Sequence, residues 1–579
     1  MRPRSRLAAV VCLVLALLVA AGCASVPDES TVQVLRKVTD GDAPGLPAGP
    51  AAGSNPLDLV RGYVYASGST VDRHGAARRF LTPAAAGAWN DGVSLTILDE
   101  QFDTVYPPTP TSKDPDVATV RIRGSRVGTV TAAGAFEPAE SPVETDVTVV
   151  RQEGQWRIDR LPDGVVVRLS DFRANTRSLK AYFVDPVRRV TVADLRYLPA
   201  VPAQALPSRA VDMLLAGPSA ALQGAAESAI PRGARLRSNV GETPDGAVIV
   251  DFTQLGDLDE QTRRLLAAQL VLTLAEINVP RVRLLVDGAP LLDGGADLTR
   301  ENVVAMVGEV QPSADVAGFV VSGGRVRNLT GPQAGVPLAG QAGNGAYDVA
   351  QAAVTPDGRR IAAVARDGNR QRLLLGPTDG ELQSVQLSAP TLTRPTWTPT
   401  GGEVWTVLGN TVVARVVVDE NGSVRTGQVN TADLAASGPI QDLRLSRDGL
   451  RVAAVVGGRL VTAAVERTSD GEVAIRNVRR LRASDLGDVV SVDWRAAESL
   501  IVVGTRAARP VSLVSSDGLT LQFVPSSNLT PPLHAVAAAS SRALLVADQG
   551  GVWSYDGGEL NTWRQVVGGV PDAVPLYPG

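Results

Sequence analysis

The chain has 579 residues, 44% of them hydrophobic, and carries 60 acidic against 56 basic side chains for a net charge of −4. That length exceeds what one hydrophobic core organises and predicts several domains, while the sign of the charge argues against nucleic acid or anionic lipid as a general partner. The two histidines, His74 and His534, stand far apart and only two cysteines occur, which excludes histidine-rich zinc sites and leaves little for Ser-His-Asp or Cys-His catalysis.

Arg2, Arg4 and Arg6 precede the apolar run 7–21, long enough for a secretory h-region and short for a spanning helix, so residues 1–22 read as an export signal. Its end, Ala20-Ala21-Gly22-Cys23, resembles a bacterial lipobox. The resemblance implies cleavage between Gly22 and Cys23 and diacylglycerol plus an N-acyl chain on Cys23. Cys12 leaves with the signal, so the mature protein forms no disulfide. Loss of three arginines with residues 1–22 moves the net charge from −4 to −7. Two or three acyl chains hold a protein durably to a bilayer, which predicts a lipid-anchored protein at the outer face of the plasma membrane.

Residues 23–55 read as the lipidated N-terminus and a tether rich in glycine, alanine and proline. From Pro56 the pattern turns helical, with Leu57, Val60 and Val64 on one face. A second helical stretch, 72–89, is broken at Pro83, and His74 is expected on its surface. Alternating runs at 93–98, 117–122, 143–150 and 155–158 then predict strands. Helices followed by a curved antiparallel sheet are similar to the cone-shaped nuclear-transport-factor-like fold, assigned to 56–175. Asp99, Glu100 and Asp103 read as a solvated strand end.

The next unit, 176–310 with its linker, opens with paired strands at 181–185 and 189–192. A helix over 207–216 buries Val211, Leu214 and Leu215 and stops at Gly217-Pro218. Strands 234–240 and 247–252 flank the turn Thr243-Pro244-Asp245-Gly246. Residues 259–277 form a helix apolar nearly all round, which requires packing on more than one side, and 282–286 form a strand. Leu214-Leu215-Ala216-Gly217-Pro218, Ile230-Pro231-Arg232-Gly233 and Val250-Asp251-Phe252 together resemble the GerMN domain of exported bacterial proteins. A cut near Val310 should leave two soluble pieces.

Beyond residue 311 the sequence repeats. Val354-Thr355-Pro356-Asp357-Gly358 and the strand after it are echoed from Trp397, Leu445, Trp494 and Ala537, in steps of 43, 48, 49 and 43 residues. Steps of that size suit four-stranded propeller blades, so 311–579 is expected to be a β-propeller of five or six blades, residues 318–330 adding strands to an incomplete sixth. The pairs Asp357-Gly358 and Asp448-Gly449, with Thr400-Gly401 at the matching place, read as turn formers, and His534 as a residue that packs a strand.

A lipobox, tether, cone-like domain, GerMN domain and C-terminal propeller, in that order, resemble the LpqB family of actinobacterial lipoproteins over the whole mature chain. The resemblance implies a non-enzymatic accessory of the MtrB sensor kinase. Such a protein contacts the kinase ectodomain and influences phosphorylation of the regulator MtrA, with consequences for envelope homeostasis and cell division. It implies no catalytic residue, no metal and no cofactor beyond the lipid on Cys23. The alternative reading is an envelope glycan-binding protein or a carboxylate-based glycan hydrolase.

Overall fold

Asn55 starts the first folded element: its side chain accepts the Asp58 N–H and caps helix α1 (Pro56–Ala66), which buries Leu59, Val60, Tyr63 and Val64. The computed structural model describes residues 49–579 apart from 110, 111, 201, 296, 330–334, 420, 483, 507 and 558–560. Gly22, Cys23, the export signal and most of the tether lie outside the described residues. Among those described, no helix is long and apolar enough to cross a membrane.

Only two short helices, α2 (Gly75–Arg78) and α3 (Pro83–Ala88), occupy the second helical stretch. Asp72, Arg73 and His74 all hold positive φ and form a turn ahead of α2. His74 corrects the surface expectation. It is 9% exposed, its Nδ1 lies 3.0 Å from the Ser67 carbonyl, and burial pushes its pKa down. The helices cover one face of a sheet ordered β4-β3-β2-β1-β5, formed by β1 (Ser94–Val105), β2 (Val117–Thr131), β3 (Phe136–Gln152), β4 (Gln155–Arg160) and β5 (Val165–Arg168). All neighbours are antiparallel except β1 and β5. Strand β4 pairs only with the end of β3 from Thr148 onward, and Pro138 and Pro142 stand on the edge it leaves uncovered, where proline blocks pairing with another chain.

The next domain opens with a hairpin of β6 (Thr176–Asp185) and β7 (Val190–Pro199), followed by helix α4 (Leu206–Leu215). Its centre is helix α5 (Glu260–Ala275), capped by Asp259, which accepts the Thr262 N–H at 2.7 Å. Every residue from Leu265 to Leu274 is buried, as an all-round apolar surface requires. Hairpin, α4 and α5 share one core with a mixed sheet. That sheet contains β8 (Arg235–Leu236), β9 (Gly241–Glu242), β10 (Val248–Thr253) and β11 (Val282–Val286). Strands β10 and β11 run parallel on either side of α5 in sequence, a βαβ crossover. Two expectations fail locally. Leu215 is 38% exposed at the helix end, and the strand expected over 234–240 is reduced to two residues, the hairpin with β10 being made by β9.

Among the described residues, 319–576 form six sheets, five of four strands and one of three. The anchors Val354, Trp397, Leu445, Trp494 and Ala537 lie at or near the ends of the first strands of blades 2 to 6. Blade 1 joins Phe319–Ser322 and Arg325–Asn328 to the C-terminal strand Val574–Leu576, with Phe319 paired to Leu576 and Val321 to Val574. The ring therefore closes by pairing its two ends, which replaces two unpaired sheet edges with a ladder.

Candidate functional site: the domain junction and the propeller faces

Blades 2, 3 and 4 turn from their first to their second strand by one device. In blade 2 the Asp357 carboxylate accepts from Thr355 Oγ1 at 2.5 Å and from the Arg359 N–H at 3.1 Å, and Gly358 holds φ +77°. Asp448 repeats this for Ser446 and the Leu450 N–H, with Gly449 at φ +74°, while Thr400-Gly401 does so with a hydroxyl. The Asp-Gly pairs are turn formers, and His534 packs a strand, its Nε2 2.9 Å from the Ala573 carbonyl. Asp99, Glu100 and Asp103 are exposed, Glu100 capping Ser170 at 2.7 Å.

These turns are where the domains meet. Arg451 donates to the Asp448 carboxylate and to the Ala193 carbonyl of β7, and Arg188 donates to the Asp448 carbonyl. The tip of the β2–β3 hairpin enters the same place. Tyr197 N–H donates to Gly134 O at 2.8 Å, and Arg196, 0% exposed, donates to Ala133 O at 2.7 Å, Gly217 O at 2.8 Å and the Asp194 carboxylate at 2.8 Å. Asp194 also accepts from Ser219 N and Oγ, so the buried pair has its hydrogen bonds satisfied. Val192 and Ala225 pack on Leu450 and Ala464 of blade 4. A cavity of about 30 Å³ beside Asp194, Ser219, Arg451, Arg479 and Asp517 has room for about one water, and wider clefts flank it, about 600 Å³ beside Glu137, Glu140 and Arg480 and about 210 Å³ beside Leu195, Tyr197 and Arg495.

The linker is pinned along its length. Gly308 N–H donates to Thr191 O at 2.7 Å, Val310 N–H to Arg447 O at 3.0 Å and Ser313 N–H to Pro356 O at 3.0 Å. Glu309 accepts the Ala497 N–H at 3.2 Å and is held above the usual carboxylate range by burial, with Asp448 and Glu498 adding to the effect. Ala48–Gly579 is accordingly one compact unit.

The ring axis is filled. Arg394 reaches across it to the carbonyls of Val536 at 3.0 Å and Pro575 at 3.3 Å. Arg444 donates to Pro395 O at 2.6 Å, and Arg447 to Pro578 O at 3.0 Å and Ala538 O at 2.8 Å. Asp493 lies 3.3 Å from Arg394 and 3.7 Å from Arg444, and burial pushes the Arg444 pKa down to about 10. The cone-like domain holds a pocket of about 100 Å³ lined by Tyr63, Thr96, Ile122, Val147 and Asp163, below the size of ordinary ligand sites. Its one carboxylate, Asp163, accepts the Asn90 N–H at 2.9 Å. Among the described residues no group of three or more His, Cys, Asp or Glu side chains is placed to hold a metal.

The arginine contacts at the junction and axis carry no mark in the sequence, because their acceptors are mostly backbone carbonyls. The propeller face opposite the Asp-Gly turns is built from the loops joining second to third strands, among them Asp367-Gly368-Asn369, Gly409-Asn410, Gly457-Gly458 and Thr505–Arg509. Most of their residues are exposed.

Three family models match the chain in order: an N-terminal domain of lipoprotein LpqB over 49–173, a domain described by sporulation and spore germination over 180–292, and the LpqB β-propeller domain over 324–578. Proteins named lipoprotein LpqB are similar end to end. That of Rhodococcus opacus is 34% identical over 100% of this chain and 99% of its own length, and that of Mycobacterium tuberculosis 34% identical over 97% of both. That of Nocardia farcinica is 33% identical over 98% of this chain and 97% of its own. A solved β-propeller domain, Cps50 (Swd1) of Myceliophteria thermophila, aligns with 37% of this chain and 66% of its own at 12% identity and a TM-score of 0.28, too distant to carry an argument. With every domain matched in sequence order and relatives 33–34% identical along their whole length, the chain belongs to the LpqB family of lipoproteins.

Proposed function

We propose that this protein is a non-enzymatic accessory of a two-component sensor kinase, anchored through lipid on Cys23 to the outer face of the plasma membrane and acting on the kinase ectodomain. The observation that carries the reading is the junction. It makes a compact body in which one propeller face is consumed by the protein's own domains and the other, apart from the contact of Glu140 with Ser484, is left open. A body of that kind suits binding, and confinement to the same membrane raises the effective concentration of a partner enough to occupy a weak contact. By preferring one conformation of the ectodomain it shifts the balance of signalling states. No cofactor takes part.

The test is binding of the mature chain, Cys23→Ser to keep it soluble, to the ectodomain of the MtrB-like kinase from the same organism. Regulator phosphorylation is then measured with both proteins in one membrane. Saturable binding with altered phosphorylation is expected. No binding when both are tethered overturns the reading, and purified cell-wall glycan is then the ligand to try.

A further inference from the structure

The open propeller face is not electrically uniform. Arg459, Arg480, Arg506 and Arg509 are all exposed and cluster around Ser484–Asp488. The backbone places them together. Leu481 N–H donates to Leu460 O at 3.0 Å and Val489 N–H to Gly458 O at 2.7 Å, while Arg480 pairs with Val461 and Arg509 N–H donates to Arg506 O at 3.0 Å. Among the described residues none of the four guanidinium groups has a carboxylate in ion-pair range. Of the acids nearby, Asp485 is paired to Arg482 and Glu140 accepts the Ser484 N–H at 3.0 Å, while Asp488 is exposed beside Gly458.

Two of the four are held in place by neutral groups. Arg506 donates to Asp485 O at 2.8 Å and Ser484 O at 3.3 Å, and the Arg509 guanidinium lies 4.2 Å over the Phe523 ring. Carbonyls and a ring face orient a guanidinium without cancelling its charge. Pre-oriented, uncompensated arginine is what recognises a carboxylate in two-point fashion. In a mature chain of net charge −7 such a corner is an exception, and the acidity of the rest of the molecule opposes its approach to an anionic bilayer.

We infer that Arg459, Arg480, Arg506 and Arg509 form a docking corner for an acidic, carboxylate-rich surface on the partner protein. The inference rests on the accessory reading above and locates its contact. Single-signed fields of this kind act mainly on the association rate and are screened by salt.

The experiment compares the Cys23→Ser chain with Arg459→Glu/Arg509→Glu, Arg459→Gln/Arg509→Gln and the control Arg425→Glu, an exposed propeller arginine away from the corner. Each is titrated with the kinase ectodomain, with poly-L-glutamate and with phosphatidylglycerol vesicles at low and raised salt. The Glu pair should slow ectodomain association by about tenfold or more at low salt, the Gln pair by less, and the control not at all. Poly-L-glutamate binding should fall in the same order. Ectodomain binding equal across all variants overturns the inference while leaving the accessory reading intact. Poly-L-glutamate binding that depends on the corner, with no ectodomain binding by any chain, overturns the accessory reading and keeps the acidic-surface site. Vesicle binding that depends on the corner, with no effect on either acidic probe, makes it a lipid contact and overturns the inference.

Discussion

Gly134 offers a direct measure of how tightly the hairpin tip is wedged between domains. It holds φ +75°, and a Cβ there would press on Met213 Cε and stand 2.7 Å from the Tyr197 carbonyl oxygen. Gly154, in the β3–β4 turn, holds φ +77°, and a Cβ added to it would meet nothing within 4 Å. An alanine at either site costs about 1–2 kcal/mol of backbone strain. Only at Gly134 is there an added overpacking cost, about 1–3 kcal/mol, because Tyr197 O belongs to backbone that cannot rotate away. The readout is hydrogen exchange at the Tyr197 amide, which donates to Gly134 O. Relative to Gly154→Ala, Gly134→Ala should speed that exchange by about 5- to 150-fold. Equal effects of the two substitutions would refute a tightly packed junction.

Glu309→Gln should raise the melting temperature at pH 7.5 and leave it unchanged near pH 4. A carboxylate whose folded pKa is raised contributes stability below its unfolded pKa and loses it as pH rises through the folded value; its charged surroundings are Lys180, Asp448, Glu498 and Arg447. A difference that persists unchanged at low pH would assign the effect to packing. Deleting residues 574–579 should free one edge of Phe319–Val321, which stays paired with 326–328 on the other, and give an aggregating propeller by light scattering; an unchanged melting curve would mean the ring does not depend on this closure. Cys23→Ala should move the protein from the membrane to the soluble fraction, and extraction that still needs detergent would sink the lipid anchor. Cleavage near Val310, which on the sequence should leave two soluble pieces, should give pieces that co-elute in size exclusion, held by the bonds of Arg188, Arg451 and Val310.

What can be read from the residues is whatever repeats or alternates. The Asp-Gly turns recur at blade spacing and form blade turns in the fold; the apolar run 265–274 announces a helix packed on all sides. His74 escapes such a reading because a helical-looking stretch is interrupted by three positive-φ residues, a tertiary choice that local spacing does not encode. The junction is invisible for a different reason. Arg196, Arg451 and Arg188 act on carbonyls of Ala133, Ala193 and Asp448, and a carbonyl looks the same at every position of a sequence. The arginine corner is likewise assembled from loops of two blades.

Pairing Phe319 with Leu576 also sets a timetable. A chain is synthesised N-terminus first, so the cone-like domain and the domain around Glu260–Ala275 are complete well before the closing strand arrives, and domains fold as units in that order. The propeller must wait, because a contact between distant segments forms only after the entropy of bringing them together has been met. During that interval the already folded early domains present Val192, Ala193 and Ala225 as a template on which blade 4 can settle, and so act as an internal scaffold for the late one.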